Sequence, residues 1–198
     1  MPTLDSLDEL LQEELKDIYD AEQQLTKALP KLIKKAQSPE LKEAIEEHLA
    51  QTEQHVERLE QVFEQLGLPA KKKRCEGMKH LIAEGDEMIG EAEAATRDAV
   101  MIASAQKVEH YEIASYGTLR TWASVLGKDD VAALLEETLE EEKAADEKLT
   151  RIAQAIVNED AAAQSGDEDT EGTTKRGRRQ VAARGRSRAV AADRRNRR

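Results

Sequence analysis

The sequence predicts an all-α protein: a four-helix bundle of two antiparallel hairpins, a short extra helix in the crossover, and a disordered tail. Three observations lead there. The 198 residues are 39 % hydrophobic and 36 % charged but only 3 % aromatic, with four prolines, the Ala/Glu/Leu/Lys balance of a helical chain. Apolar residues recur with the 3.6-residue period over four stretches of about thirty residues. Helix start and stop signals fall between those stretches.

The first helix is expected from Leu4–Asp5 to about Ala36, on the stripe Leu7, Leu11, Ile18, Leu25, Leu29 and Leu32, with a local bend at Pro30, which lacks the backbone donor. Ser38-Pro39 then reads as an N-cap followed by proline at the first helical position. The second helix runs to about Leu66 and stops at Gly67-Leu68-Pro69, a C-terminal signal. A basic connection, Ala70–Arg74, leads to a short helix from Cys75 to about Ala92. The third long helix spans about Ala94 to Leu126 and is apolar on more than one face. Gly127 and an aspartate N-cap introduce the last helix, which ends near Val157. Residues 1–157 are thus read as the bundle and 158–198 as the tail.

Each long helix has a polar interruption in its apolar stripe. Glu22 sits between Ile18 and Leu25, while His48, Thr52 and His55 occupy the middle of the second stripe. Gln106, Glu109 and Glu112 share a face with Ile102 and Ile113, and Glu141 or Glu142 interrupts the last stripe. A carboxylate on a core-facing stripe is costly unless paired, protonated or bound to metal. Counting along the hairpins puts these residues in one layer. Glu22 lies 14 residues before Ala36, and 14 beyond Pro39 comes Glu53, beside His48, Thr52 and His55. Glu112 lies 14 before Leu126, and 14 beyond Asp129 comes Lys143, beside Glu142 and Asp146. A mid-bundle layer of carboxylates with histidine is how di-metal sites are built, and such ligands suit iron, with manganese the other candidate. The expected metal-binding residues are Glu22, His48, His55, Glu109, Glu112, Glu142 and Asp146. Tyr19, Tyr111 and Tyr116 are candidate hydrogen-bond donors to the carboxylates. His110, adjacent to Glu109, points away.

Three stretches, Leu15–Leu25, Val108–Leu119 and Glu136–Leu149, resemble the YciE/YciF family of bacterial stress-associated proteins over roughly residues 3–157. The resemblance implies a ferritin-like, rubrerythrin-like bundle, a dimer and a di-iron centre. That superfamily pattern wants a Glu on the first helix, matched by Glu22, and Glu109-x-x-Glu112 matches the rubrerythrin-like third helix. The Glu-x-x-His of the second helix is absent, because Thr52 precedes His55 by three residues. On the last helix Glu142 and Asp146 stand in for it.

No apolar run approaches the roughly 18 residues of a membrane span, and the N-terminus lacks the pattern of a signal peptide. The lone Cys75 excludes an internal disulfide framework and fits a reducing compartment, so the expected location is the cytoplasm. Its basic neighbours would lower its pKa. There is no phosphate loop, no CxxC motif and no nucleophile–base constellation. The net charge of −11 conceals an asymmetry: residues 175–198 hold eleven Lys/Arg against Asp193. Such a segment can bind nucleic acid non-specifically and salt-dependently; with no aromatic residue it has no stacking platform. The expected function is a stress-associated protein whose di-metal site reacts with dioxygen or peroxide. The alternative is a non-enzymatic helical protein acting through dimerisation or through tail-mediated nucleic-acid binding.

Overall fold

The computed structural model describes residues 4–163. Residues 158–163, expected to open the disordered tail, are helical; the expected disorder beyond them and the nucleic-acid contact of the Arg-rich end fall outside the described residues. Of the described residues, 4–158 belong to one compact unit, made of α1 (Leu7–Lys35), α2 (Pro39–Gln65), α3 (Glu76–Glu91), α4 (Ala94–Val125) and α5 (Asp129–Ile152). There is no strand among the described residues. The α1–α2 and α4–α5 hairpins pack with α2 against α5 and α1 against α4, which closes a four-helix bundle. The short α3 lies along α4 and α1.

The helix ends follow from side-chain and backbone chemistry. Ser6 caps α1 through a capping box: its hydroxyl accepts from the Glu9 N–H, and Glu9 Oε2 accepts from the Ser6 N–H, which satisfies donors that have no partner within the helix. Ser38 caps α2 by accepting from the Leu41 N–H, with Pro39 behind it. Asp98 of α4 braces this turn by accepting from the Gln37 and Ser38 N–H groups. At the opposite end, α2 and α4 stop at Gly67 and Gly127, whose φ values are 66° and 69°. The N–H groups of Leu68 and Lys128 then bond back to Phe63 and Ala123, the Schellman closure that needs a left-handed residue.

Three expectations are corrected. α1 begins at Leu7, because the Ser6 box captures the first turn. Lys128, not an aspartate, holds the N-cap position of α5 without a side-chain bond; Asp129 and Asp130 lie inside the first turn, where they favour the helix dipole. The last helix leaves α geometry at Ile152 and continues as a π turn, Ala153–Val157.

Cys75 is also not in an exposed basic linker. It is fully buried as the N-cap of α3, its N–H donates to Asp20 and its sulfur contacts the Tyr111 hydroxyl at 3.0 Å. Burial pushes the thiol up to about 11, the reverse of the expected activation. Gly77 makes this seat, since a Cβ there would meet the Tyr111 ring at 3.0 Å.

Candidate metal centre

Four helices converge on one buried layer. Glu22 from α1, Glu112 from α4, and Glu142 from α5 are fully buried, as is His55 from α2. Glu109 and His48 are nearly so. The helical period explains the set: Glu109 and Glu112 are one turn apart on α4, and His48 and His55 two turns apart on α2, so each pair shares a face. The acidic run of α5 divides between faces, with Glu142 buried, Glu141 half-buried, and Glu137 and Glu140 exposed.

Two groups of ligand-type atoms lie close enough to hold an ion each among the described residues. One is His48, Glu109, Glu112 and Glu142; the other is Glu22, His55 and Glu142. Glu142 belongs to both. The fit is visible in what these atoms lack. Both oxygens of Glu112 and Glu142, Oε2 of Glu22 and Glu109, and Nδ1 of His48 and His55 are buried without a hydrogen bond. His55 Nδ1 stands 3.0 Å from Glu142 Oε1, yet neither atom makes an aligned bond. Buried polar atoms left this way cost about 1–3 kcal/mol each, more when charged. Their clustering, and the O/N donor set, fit hard or borderline divalent cations.

The electrostatics point the same way. Burial, reinforced by the charges of Glu142 and Glu22, raises Glu109 and Glu112 well above the usual carboxylate range. Burial also raises Glu22, against the pull of His55. For Glu142 burial acts upward too, but contact with His55 and the nearby His48 outweighs it and holds the carboxyl low. Burial pulls His55 down, whereas the close approach and charges of Glu142 and Glu22 carry it to about 10. Burial leaves His48 below its ordinary value and neutral. Without metal, burial and the neighbouring carboxylates favour the protonated forms of Glu109 and Glu112, and Glu142 and Glu22 favour that of His55.

Around the layer, His55 Nε2 bonds Glu141 Oε2 at 2.9 Å. Arg58 holds Glu141 in turn, with Nη1 donating to it at 2.8 Å and to Thr138 at 2.7 Å. An Nε2–H donated to Glu141 leaves Nδ1 as the free ligand nitrogen, the usual way a carboxylate sets a ligating histidine. The Tyr116 hydroxyl donates to Glu22 Oε1. Glu141 and Arg58 were not anticipated as a pair; the signal was Arg58 one turn beyond His55, extending the polar middle of the stripe.

The remaining candidates fall outside the layer. Asp146 accepts from Gln106 at 3.0 Å and lies 3.5 Å from His110, so the structure brings it into neither group. Gln106 also donates to Thr150 and is engaged away from the carboxylates. Tyr19 bonds Glu60 and Tyr111 bonds Asp17, which leaves Tyr116 as the donor among the three. Thr52 spends its hydroxyl on the His48 carbonyl, so the missing glutamate of the second helix is not replaced there.

Residues 6–162 match the family described as Domain of unknown function (DUF892). The chain is 50 % identical over 149 residues to YciF of Escherichia coli (strain K12), covering 74 % of this chain and 90 % of that protein. The solved structure of the E. coli stress protein YciF superposes with TM-score 0.74 at 46 % identity, over 78 % of this chain and 99 % of that one. YcfI of Rhodopseudomonas palustris matches with TM-score 0.73 at 46 % identity, over 76 % and 98 %. A protein of Xanthomonas campestris pv. campestris matches with TM-score 0.64 at 25 % identity, over 81 % and 99 %. These likenesses bear out the resemblance to the YciE/YciF family drawn from the sequence.

Proposed function

The chain belongs to the DUF892 family, and we propose that it is a ferritin-like, stress-associated protein whose mid-bundle layer holds two metal ions, iron in preference to manganese. The likeness to a stress protein supports the first part. The second is carried by one observation: the unpartnered buried oxygens and nitrogens fall in two ligand groups that share Glu142. No helix among the described residues is long and apolar enough to cross a membrane; location in the cytoplasm and a homodimeric state are part of the proposal.

His48, Glu109 and Glu112 would hold one ion, and Glu22 with His55 the other, with Glu142 between them. Bound iron would supply electron transfer to dioxygen or peroxide. The chain's own residues fix the rest. Arg58 and Glu141 orient His55, and Tyr116 keeps a proton on its hydroxyl for Glu22 Oε1. Glu109, Glu112 and His55 would have to be deprotonated to hold such ions. The rival reading, a purely structural polar network, is opposed by the same unpartnered atoms, which such a network would satisfy. Nucleic-acid contact through residues 175–198 is a separate proposal.

The test is metal content of the full chain, purified without chelator and reloaded with ferrous iron, beside Glu109→Ala/Glu112→Ala. We expect about two ions per chain, matching the two ligand groups, and none held tightly by the variant. Equal metal content in both, at equal helicity, would sink the reading.

A further inference from the structure

Two cavities meet the same edge of the layer. One, of about 50 Å³, lies between α1, α3 and α4; the other, of about 230 Å³, lies between α1, α2, α4 and α5. Both are walled by Leu29, Leu32, Ala105, His48 and Glu109. His48 and Glu109 each keep an unpartnered buried atom, and His48, at 8 % exposure, is the most accessible member of the ligand set.

The larger cavity has a sequence cause. Ala44 lies one turn before His48 on α2, Ala105 one turn before Glu109 on α4, and Ala145 nearly one turn after Glu142 on α5. Antiparallel packing carries all three to the same side of the layer, where they line the space. Bundle interiors are otherwise close-packed, so small residues on three facing helices leave a half-open cavity, with Ala145 partly exposed at its mouth. Its wall is mostly hydrocarbon, and its rim carries Gln51, Arg151 and a Lys148–Glu47 ion pair that spans α2 and α5. A void of this size exceeds the roughly 150 Å³ that takes up a benzene ring in an engineered core.

We propose that this cavity binds an apolar organic molecule, a single ring or a short hydrocarbon chain, with one polar end at the Gln51/Lys148 rim. The bound molecule lies against the His48–Glu109 edge, which makes it the substrate class of the site. The chemistry rests on the metal reading above; the binding does not. An apolar wall recognises such a molecule by burial rather than by hydrogen bonds, and the rim supplies donors for a hydroxyl or carboxylate.

The experiment uses the full chain with alanine methyls labelled by ¹³C, stripped of metal and then metal-loaded, titrated with 1-hexanol. Saturable shifts of the Ala44, Ala105 and Ala145 methyls are expected in both forms. Ala145→Leu and, independently, Ala105→Val fill the space, so apparent affinity should weaken roughly tenfold or more. Metal content and helicity should stay unchanged. In the cobalt(II)-loaded chain, hexanol should move the visible bands. Shifts that never saturate, or variants that bind as well as the parent, overturn the inference. Metal uptake without hexanol binding overturns it and leaves the metal reading standing. Hexanol binding without metal uptake removes the metal reading and keeps the cavity as a ligand site.

Discussion

The two halves of the bundle on either side of the carboxylate layer are built differently. Toward Gly67 and Gly127 the interior is filled by Leu11, Leu15, Leu59, Phe63, Tyr116, Leu119 and Leu135, each at most 1 % exposed. Phe63 and Tyr19 meet edge-on there, with ring centroids 5.6 Å apart. Toward Ser38 the core continues through Leu25, Leu41, Ile45, Met101 and Ile102, but Ala44, Ala105 and Ala145 leave space beside it. One half is packed throughout; the other keeps a core and adds access. A metal layer between them can be held rigidly from one side and reached from the other.

The largest expected contrast is in stability. Phe63→Ala should cost about 3–5 kcal/mol, because the cavity it leaves has rigid walls, whereas Ala105→Val enters existing space and should stay within about 1 kcal/mol. Urea unfolding of the metal-free chain reads both. If the two variants shifted the midpoint equally, the division into a packed and an open half would fail.

Next in size is the support on the packed side. Glu141→Gln keeps the shape but weakens the hold on His55 and its ring orientation, so metal affinity should fall about 10–100-fold with helicity unchanged. Competition against a coloured chelator measures this. Unaltered affinity would mean that packing, not Glu141, orients the ring.

The remaining contrast is the pH dependence, whose sign differs with and without metal. Glu109 and Glu112 are raised by burial and by neighbouring carboxylates, and His55 is carried to about 10 by Glu142 and Glu22 against its burial. Groups with a raised folded-state pKa stabilise fully below the unfolded value and lose that contribution as pH rises through the folded one. His55 therefore supports the metal-free fold below about its unfolded 6.5 and withdraws toward 10. The metal-free Tm should drop between pH 6 and pH 9. Metal competes with these same protons, so the stabilisation added by ferrous or manganous ion should grow over that range. A metal-free Tm that rose with pH would contradict the proton-filled layer.

Much of the fold was legible in the chain because helix ends depend on local chemistry. Ser38-Pro39, Gly67 and Gly127 mark boundaries that the structure keeps to within a residue. Ser6 was missed as a cap because Leu4 continues the apolar rhythm, while the decisive signal, Glu9 three residues on, lies in the acidic run after it. In the site, Glu22, Glu109 and Glu112 stood out as carboxylates on apolar stripes. His48 and His55 were expected there as well, and the structure brings them into the layer. Asp146 followed from its spacing after Glu142, but it faces Gln106 of α4, which donates to it and to Thr150.

What the sequence determined by itself was the period, the punctuation and the polar interruption in each stripe, since these need only neighbours one turn away. Tertiary structure alone decided that Glu142 turns inward while Glu141 turns to His55, that Cys75 is buried beneath Tyr111, and that three alanines face one void. The physical reason is rotational. Adjacent helical residues point about 100° apart, so spacing leaves a helix free to turn by nearly that much. Only packing against three other helices fixes which side chain meets which.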